Sequence, residues 1–172
     1  CPDWTIEDLG HHVGGFLGHW LDALREAAGE DPVELVHPDA DERALWVAGR
    51  LDDLVARLSA LAADATVPTW VPSDQTAGFV ARRAACELAI HRVDAQLAVG
   101  SAEPIDPPFA VTVIDEVFAT LANFGTCMRE RRGPDPGAGE TLPPHATDGA
   151  DAPQGSSVGA WTGPLAPAGV PL

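Results

Sequence analysis

Glu87 and His91 stand four residues apart on a helical pattern that is otherwise apolar. At about 100° per residue, Phe79, Cys86, Ile90, Val93 and Leu97 fall on one flank of that pattern. Val80, Ala84, Leu88 and Ala98 fall on the other. Glu87, His91 and Asp94 lie between the flanks, where a core stripe belongs, while Arg82, Arg92 and Gln96 take the opposite side. A buried carboxylate or imidazole is costly unless it is paired or bound to metal. Two chemistries answer that cost. Side chains at i and i+4 can reach one point, as helix-borne metal ligands must. They can equally form a hydrogen-bonded pair inside the core.

A third ligand from another helix separates the two. His12 is the candidate, at the edge of an apolar arc and beside Phe16. His11 projects to the far side of the same helix, as a solvated residue would. His19 shares the flank of His12 two turns later and either lines the site or is a partly exposed helix residue. His37 and His145 sit in loop-like sequence and carry no signal. Asp94, three residues after His91, either orients that imidazole as an outer acceptor or pairs with an arginine such as Arg83. Cys86 points about 100° away from Glu87 and reads as a small buried residue, as does Cys127. No Ser/His/Asp set, phosphate loop or dinucleotide fingerprint is present.

Four helical segments must position these residues, and no convincing strand is visible. The first follows Trp4, with Thr5 and Asp8 as a capping box, and runs to about Gly29. Leu9, Val13, Phe16, Leu17, Trp20, Leu21 and Leu24 keep one face apolar. Gly14, Gly15 and Gly18 each weaken it by roughly 1 kcal/mol relative to Ala. Close approach of another backbone or a ligand would compensate.

The second helix starts near Asp39, paired with Glu42 in a second capping box, and carries Ala44, Val47, Leu51, Leu54, Val55, Leu58 and Leu61 inward. Pro68 and Pro72 mark the loop that ends it. The third spans 78–98 with Gly100 as its stop. The fourth opens at Pro107-Pro108 and turns Val113, Ile114, Val117, Phe118, Leu121 and Met128 inward. Arg129, Arg131 and Arg132 complement its C-terminal dipole, and Gly133 ends it. The expected fold is all-α, an antiparallel four-helix bundle over residues 1–132. In residues 133–172, sixteen of 40 are Gly or Pro, so that stretch reads as an irregular tail.

Bulk composition narrows the partners. The formal charge is −16, with ten basic residues, all arginine, against 26 acids. Such a field repels phosphate backbones and anionic lipid, so neither nucleic acid nor membrane is expected as a partner. No apolar run approaches the roughly 18 residues of a span. Three scattered cysteines without a C-x-x-C pair suit a reducing cytoplasm. A bundle carrying three helical glycines could be completed by a second copy as a homodimer.

Two segments resemble a known family. Cys-Pro-Asp-Trp-Thr-Ile-Glu-Asp-Leu-Gly-His-His-Val-Gly, residues 1–14, with Trp20 after it, resembles the motif opening the metal-binding domain of mycothiol-dependent maleylpyruvate isomerases, in the DinB-like superfamily. Ala-Cys-Glu-Leu-Ala-Ile-His-Arg-Val-Asp-Ala-Gln, residues 85–96, resembles its second signature, Glu-x-x-x-His followed by Arg-Val-Asp. The resemblance implies a DinB-like bundle with His12, Glu87 and His91 as metal ligands. Asp94, His19 and Trp20 are expected around them.

The resemblance further implies a divalent metal, Zn²⁺ by preference and Fe²⁺ as the other option, with mycothiol as thiol cosubstrate. The reaction would be thiolate addition to a small-molecule electrophile, giving cis–trans isomerisation or S-transfer. A non-catalytic bundle that binds metal or a small ligand, as sensor or partner module, is the alternative. The family has a helix before the Cys-Pro-Asp-Trp motif, so the first helix here corresponds to its second. Pro-Pro-His-Ala-Thr-Asp-Gly, residues 143–149, resembles the entry to the family's α/β domain, of which residues 133–172 would be a remnant.

Overall fold

Thr5 holds extended backbone (φ −81°, ψ 166°), and everything after it turns helical. Its backbone N–H donates to Asp8 Oδ2 at 2.8 Å, and the Asp8 N–H donates back to Thr5 Oγ1 at 3.1 Å. This is the expected capping box, worth about 1 kcal/mol. It sets the phase of the first helix, α1 (Ile6–Ala28). Gly29 ends α1 in the left-handed region (φ 73°), where its N–H meets carbonyls of the last turn.

The computed structural model describes residues 4–132, except the side chains of 120–132. Among them are α1, α2 (Arg43–Ser59), α3 (Ala77–Ala98) and α4 (Pro107–Arg132), with no strand beyond an isolated bridge between Thr66 and Thr76. The class is all-α, as expected. By compactness the chain divides after Ile105 into Cys1–Ile105 and Asp106–Leu172.

Within the first unit α1 packs against both α2 and α3. Leu9, Val13, Leu17, Trp20, Leu21 and Leu24 of α1 meet Leu54 of α2 and Phe79, Val80 and Ala84 of α3. Val67 and Val71 enter the same core from the loop after α2. That loop is held by the Gln75 side chain, whose amide donates to the carbonyls of Thr69 and Val71.

The glycines of α1 act differently from expectation. A Cβ at Gly14 would stand 1.7 Å from Trp46 Cζ3, and one at Gly18 2.7 Å from Arg50 Nη1. Gly10, one turn before Gly14, is as close to Arg43. Large side chains of α2, not a neighbouring backbone, therefore fill a glycine groove on α1. Gly15 faces open space.

The second capping box does not form. Glu42 is the N-cap of α2, with helical angles (φ −94°, ψ −12°) and no side-chain cap bond. Its N–H donates instead to the Asp39 carbonyl, so a backbone turn satisfies the donor that the side chain would have taken. Of the predicted stripe on α2, Leu54 is buried and Val47, Leu51 and Leu58 are half-buried, while Ala44, Val55 and Leu61 are exposed.

α3 begins one residue earlier than predicted. Thr76 caps it by accepting from the Phe79 N–H at 3.1 Å, and Gly100 (φ 69°) follows its end. Leu97 is 62 % exposed, because the last turn runs beyond the core.

α4, in the second unit, starts at Pro107 as predicted. Val113 is buried, whereas Ile114, expected to face inward, is 43 % exposed. The expectations for Leu121, Cys127, Met128, Arg129, Arg131 and Arg132 concern side chains outside the described residues. Cys1, Gly133, His145 and the 133–172 tail lie outside them as well. No helix among the described residues is long and apolar enough to cross a membrane.

Candidate metal centre

With α1 phased by its cap, Leu9 and Val13 point into the core and His12 comes to its edge, opposite α3. On α3, Val80, Ala84 and Cys86 anchor the buried side, which carries Glu87 inward. Glu87 is only 9 % exposed, and His91 follows it one turn later.

The three side chains converge on one oxygen. Glu87 Oε1 lies 3.1 Å from His12 Nε2 and 3.2 Å from His91 Nε2. The imidazoles meet nearly edge to face, with centroids 4.8 Å apart and planes at 77°. One donor atom from each of the three residues lies within 4.8 Å of the others. Ligands about 2.0–2.2 Å from a tetrahedral ion stand roughly 3.3–3.5 Å from each other, so small side-chain movements would seat an ion. Donor chemistry fits too, as two imidazoles and one carboxylate are a familiar set for Zn²⁺ and for non-haem Fe²⁺.

The surroundings fix charge and orientation. Burial works against the Glu87 anion, but hydrogen bonds from His12 and His91 and the charge of Arg83 outweigh it. The carboxyl is thereby held far below the usual carboxylate range. His91 is pushed upward, first by its bond to Glu87 and then by Asp94, against the effect of burial. Asp94 Oδ2 accepts from His91 Nδ1 at 2.9 Å, which turns Nε2 toward Glu87. Arg83, one turn before Glu87, donates to Oε2 and lies over the Phe16 ring at 5.4 Å. Trp4 lies against His12, with ring centroids 5.1 Å apart and planes tilted by 58°.

The sequence named Arg83 only as an alternative partner for Asp94, and Trp4 only as part of the Cys-Pro-Asp-Trp motif. The i, i+4 spacing of Arg83 to Glu87 was an available signal.

His19 and Trp20 are not brought to the three. Trp20 is a core residue, 1 % exposed, wedged edge-on between Phe16 and Phe79. His19, exposed as the second of its two readings had it, meets Trp20 edge to face and lines a different hollow, of about 450 Å³, with Glu26, Pro32, Pro68 and Trp70. The reason is helical rise. Seven residues after His12, His19 keeps nearly the same angular position but lies roughly 10 Å further along the axis.

His11, expected to be solvated, instead meets His37, their Nδ1 atoms 3.0 Å apart, and His37 in turn lies against Trp46. Partial burial and then the neighbouring charges of His11, Arg50 and Arg43 hold His37 below the ordinary histidine value. Cys86 is fully buried, as predicted.

Residues 1–96 match the family model described as the mycothiol maleylpyruvate isomerase N-terminal domain. No curated protein and no solved structure matches the chain.

Proposed function

The chain belongs to the mycothiol maleylpyruvate isomerase N-terminal domain family, and we propose that it is a cytoplasmic, metal-dependent enzyme that activates mycothiol for attack on a small-molecule electrophile. The observation that carries the proposal is the meeting of His12, Glu87 and His91 at one point between α1 and α3. Three protein ligands mark a catalytic rather than a closed structural site, because they leave a coordination position for another molecule. The metal, Zn²⁺ by preference, would supply the positive charge that keeps a bound thiol deprotonated near neutral pH.

The residues have distinct parts in this proposal. His12 and His91 would present neutral Nε2 lone pairs, and Glu87 the negative charge. Asp94 would keep the His91 proton on Nδ1, so that Nε2 stays free to ligate. Trp4 would shield the His12 side of the site from water. The mycothiol thiolate is the nucleophile. Its sulfur would form a bond to one carbon of an electron-poor double bond, whose electron pair moves into the activating group. Rotation about the resulting single bond and expulsion of the same thiolate would give the geometric isomer. Attack on a strained ring, or on a carbon bearing a leaving group, would instead leave sulfur attached, as the ring bond or the bond to the leaving group breaks and its electron pair departs on the displaced atom.

Metal content measured by plasma mass spectrometry, on protein purified without chelator, is the first test. About one Zn or Fe per chain is expected, followed by thiol-dependent consumption of a model electrophile that chelator abolishes. No bound metal after metal is offered sinks the proposal. Stoichiometric metal without thiol-dependent turnover makes the chain a metal-binding module instead.

A further inference from the structure

The two oxygens of Glu87 are given to different partners. Oε1 faces both imidazoles, at 3.1 and 3.2 Å. Oε2 accepts from Arg83 Nη2. Arg83 is itself well buried, its side chain 13 % exposed, with its guanidinium over the Phe16 ring. Arg83 and Glu87 share α3 at i and i+4, so their pairing does not depend on how α1 adjusts when a ligand arrives.

A carboxylate that ligates through both oxygens fills two positions on a metal, and one that ligates through a single oxygen fills one. We infer that Arg83 is a positioning residue that holds Glu87 to single-oxygen ligation and so keeps a coordination position open for the thiol. This rests on the metal reading of His12, Glu87 and His91. The guanidinium suits the role because its planar fork orders an oxygen without entering the coordination sphere.

The test uses Co²⁺ and 2-mercaptoethanol as probes, on the full chain and its Arg83→Met and Arg83→Lys variants, each checked for native helical circular dichroism. In the wild type, added thiol should give a sulfur-to-cobalt charge-transfer band. In Arg83→Met, the freed Oε2 should raise the coordination number and weaken the visible Co²⁺ absorption. The thiol concentration for half-saturation should rise about tenfold, the lower end of outer-shell effects on metal sites. Arg83→Lys, which keeps a cationic donor, should stay near the wild type.

An unchanged spectrum and thiol titration in Arg83→Met would reduce Arg83 to an ordinary ion pair. A crystal structure of the Co²⁺-loaded wild type settles the matter if the variants do not fold. Glu87 bound through both oxygens there overturns the inference, while one bound oxygen with Arg83 on the other upholds it. A wild type that takes up no Co²⁺ fails earlier, at the metal reading itself.

Discussion

His12 on α1 and Glu87 on α3, 75 positions apart in the chain, meet through Nε2 and Oε1 at 3.1 Å. The contact exists because the apolar stripes of both helices share one core, which brings their edges together where His12 and Glu87 sit. Around this contact the site makes predictions that separate ligands, orienting groups and scaffold.

Replacing His12, Glu87 or His91 singly by Ala should abolish stoichiometric metal binding, because two ligands rarely retain an ion that three hold. His11→Ala and His37→Ala should bind metal as the wild type does, since those two imidazoles face each other. Metal analysis after desalting reads the result. Loss in His11→Ala with retention in His12→Ala would reverse the assignment of faces on α1.

Asp94→Ala should keep the metal at saturation but weaken it, with an affinity about 10- to 100-fold lower. The cause is loss of the acceptor that orients His91 through Nδ1. Competition with a chromophoric chelator measures the change. An unaltered affinity would mean that the Asp94 bond does not orient His91 for the metal.

Gly14→Ala and Gly15→Ala should act in opposite directions. At Gly14 the new Cβ would overlap the Trp46 ring and force α2 away, at a cost of about 1–3 kcal/mol. At Gly15 the methyl meets nothing, and the gain in helix propensity should stabilise by about 0.5–1 kcal/mol. Urea unfolding of both variants decides. Equal destabilisation would show that the groove on α1 is not what tolerates its glycines.

Asp74 supplies a pH-dependent increment. Its carboxylate accepts from the Thr76 hydroxyl at 2.7 Å and from Arg82 at 3.1 Å, and these bonds lower its pKa, the Thr76 bond most. A carboxyl whose folded pKa is depressed stabilises the fold above its unfolded pKa, near 4. That increment, under about 1 kcal/mol for so exposed a group, disappears as pH falls through the folded pKa. Asp74→Asn should therefore lower stability at pH 7 and narrow the gap to the wild type at pH 2–3. A gap that stays constant with pH would locate the effect elsewhere.

Legibility in the sequence followed locality. The Thr5–Asp8 box and Gly29 are local signals, and α1 begins and ends where they say. Glu87, His91 and Asp94 fall on one face because all three ride on a single helix of known pitch. His12 was identifiable by the same angular argument on α1. The Asp39–Glu42 box, although local, was misleading. The Asp39 carbonyl takes the Glu42 N–H, which the Asp39 side chain would have accepted in a capping box.

What failed were statements about neighbours. His19 occupies the flank of His12 but reaches another hollow, because angle says nothing of distance along the axis. Trp20 looked like a site residue, yet its area is worth more in the core between Phe16 and Phe79. His11 and His37 carried no mutual signal, because they come together only when the segment after α1 folds back along it.

The amino-acid sequence by itself determined the helices, their polar and apolar faces, and the residue types capable of holding a metal. These depend on backbone hydrogen bonding and on a period of 3.6 residues, both local properties. Tertiary structure decided which faces meet. Packing of α1 on α3 turned three polar residues into one cluster, and Trp46 found the groove that Gly14 opens. It also gave each Glu87 oxygen a different partner. Such choices are made by burial and close packing across helices, which compare many side chains at once and leave no periodic trace along the chain.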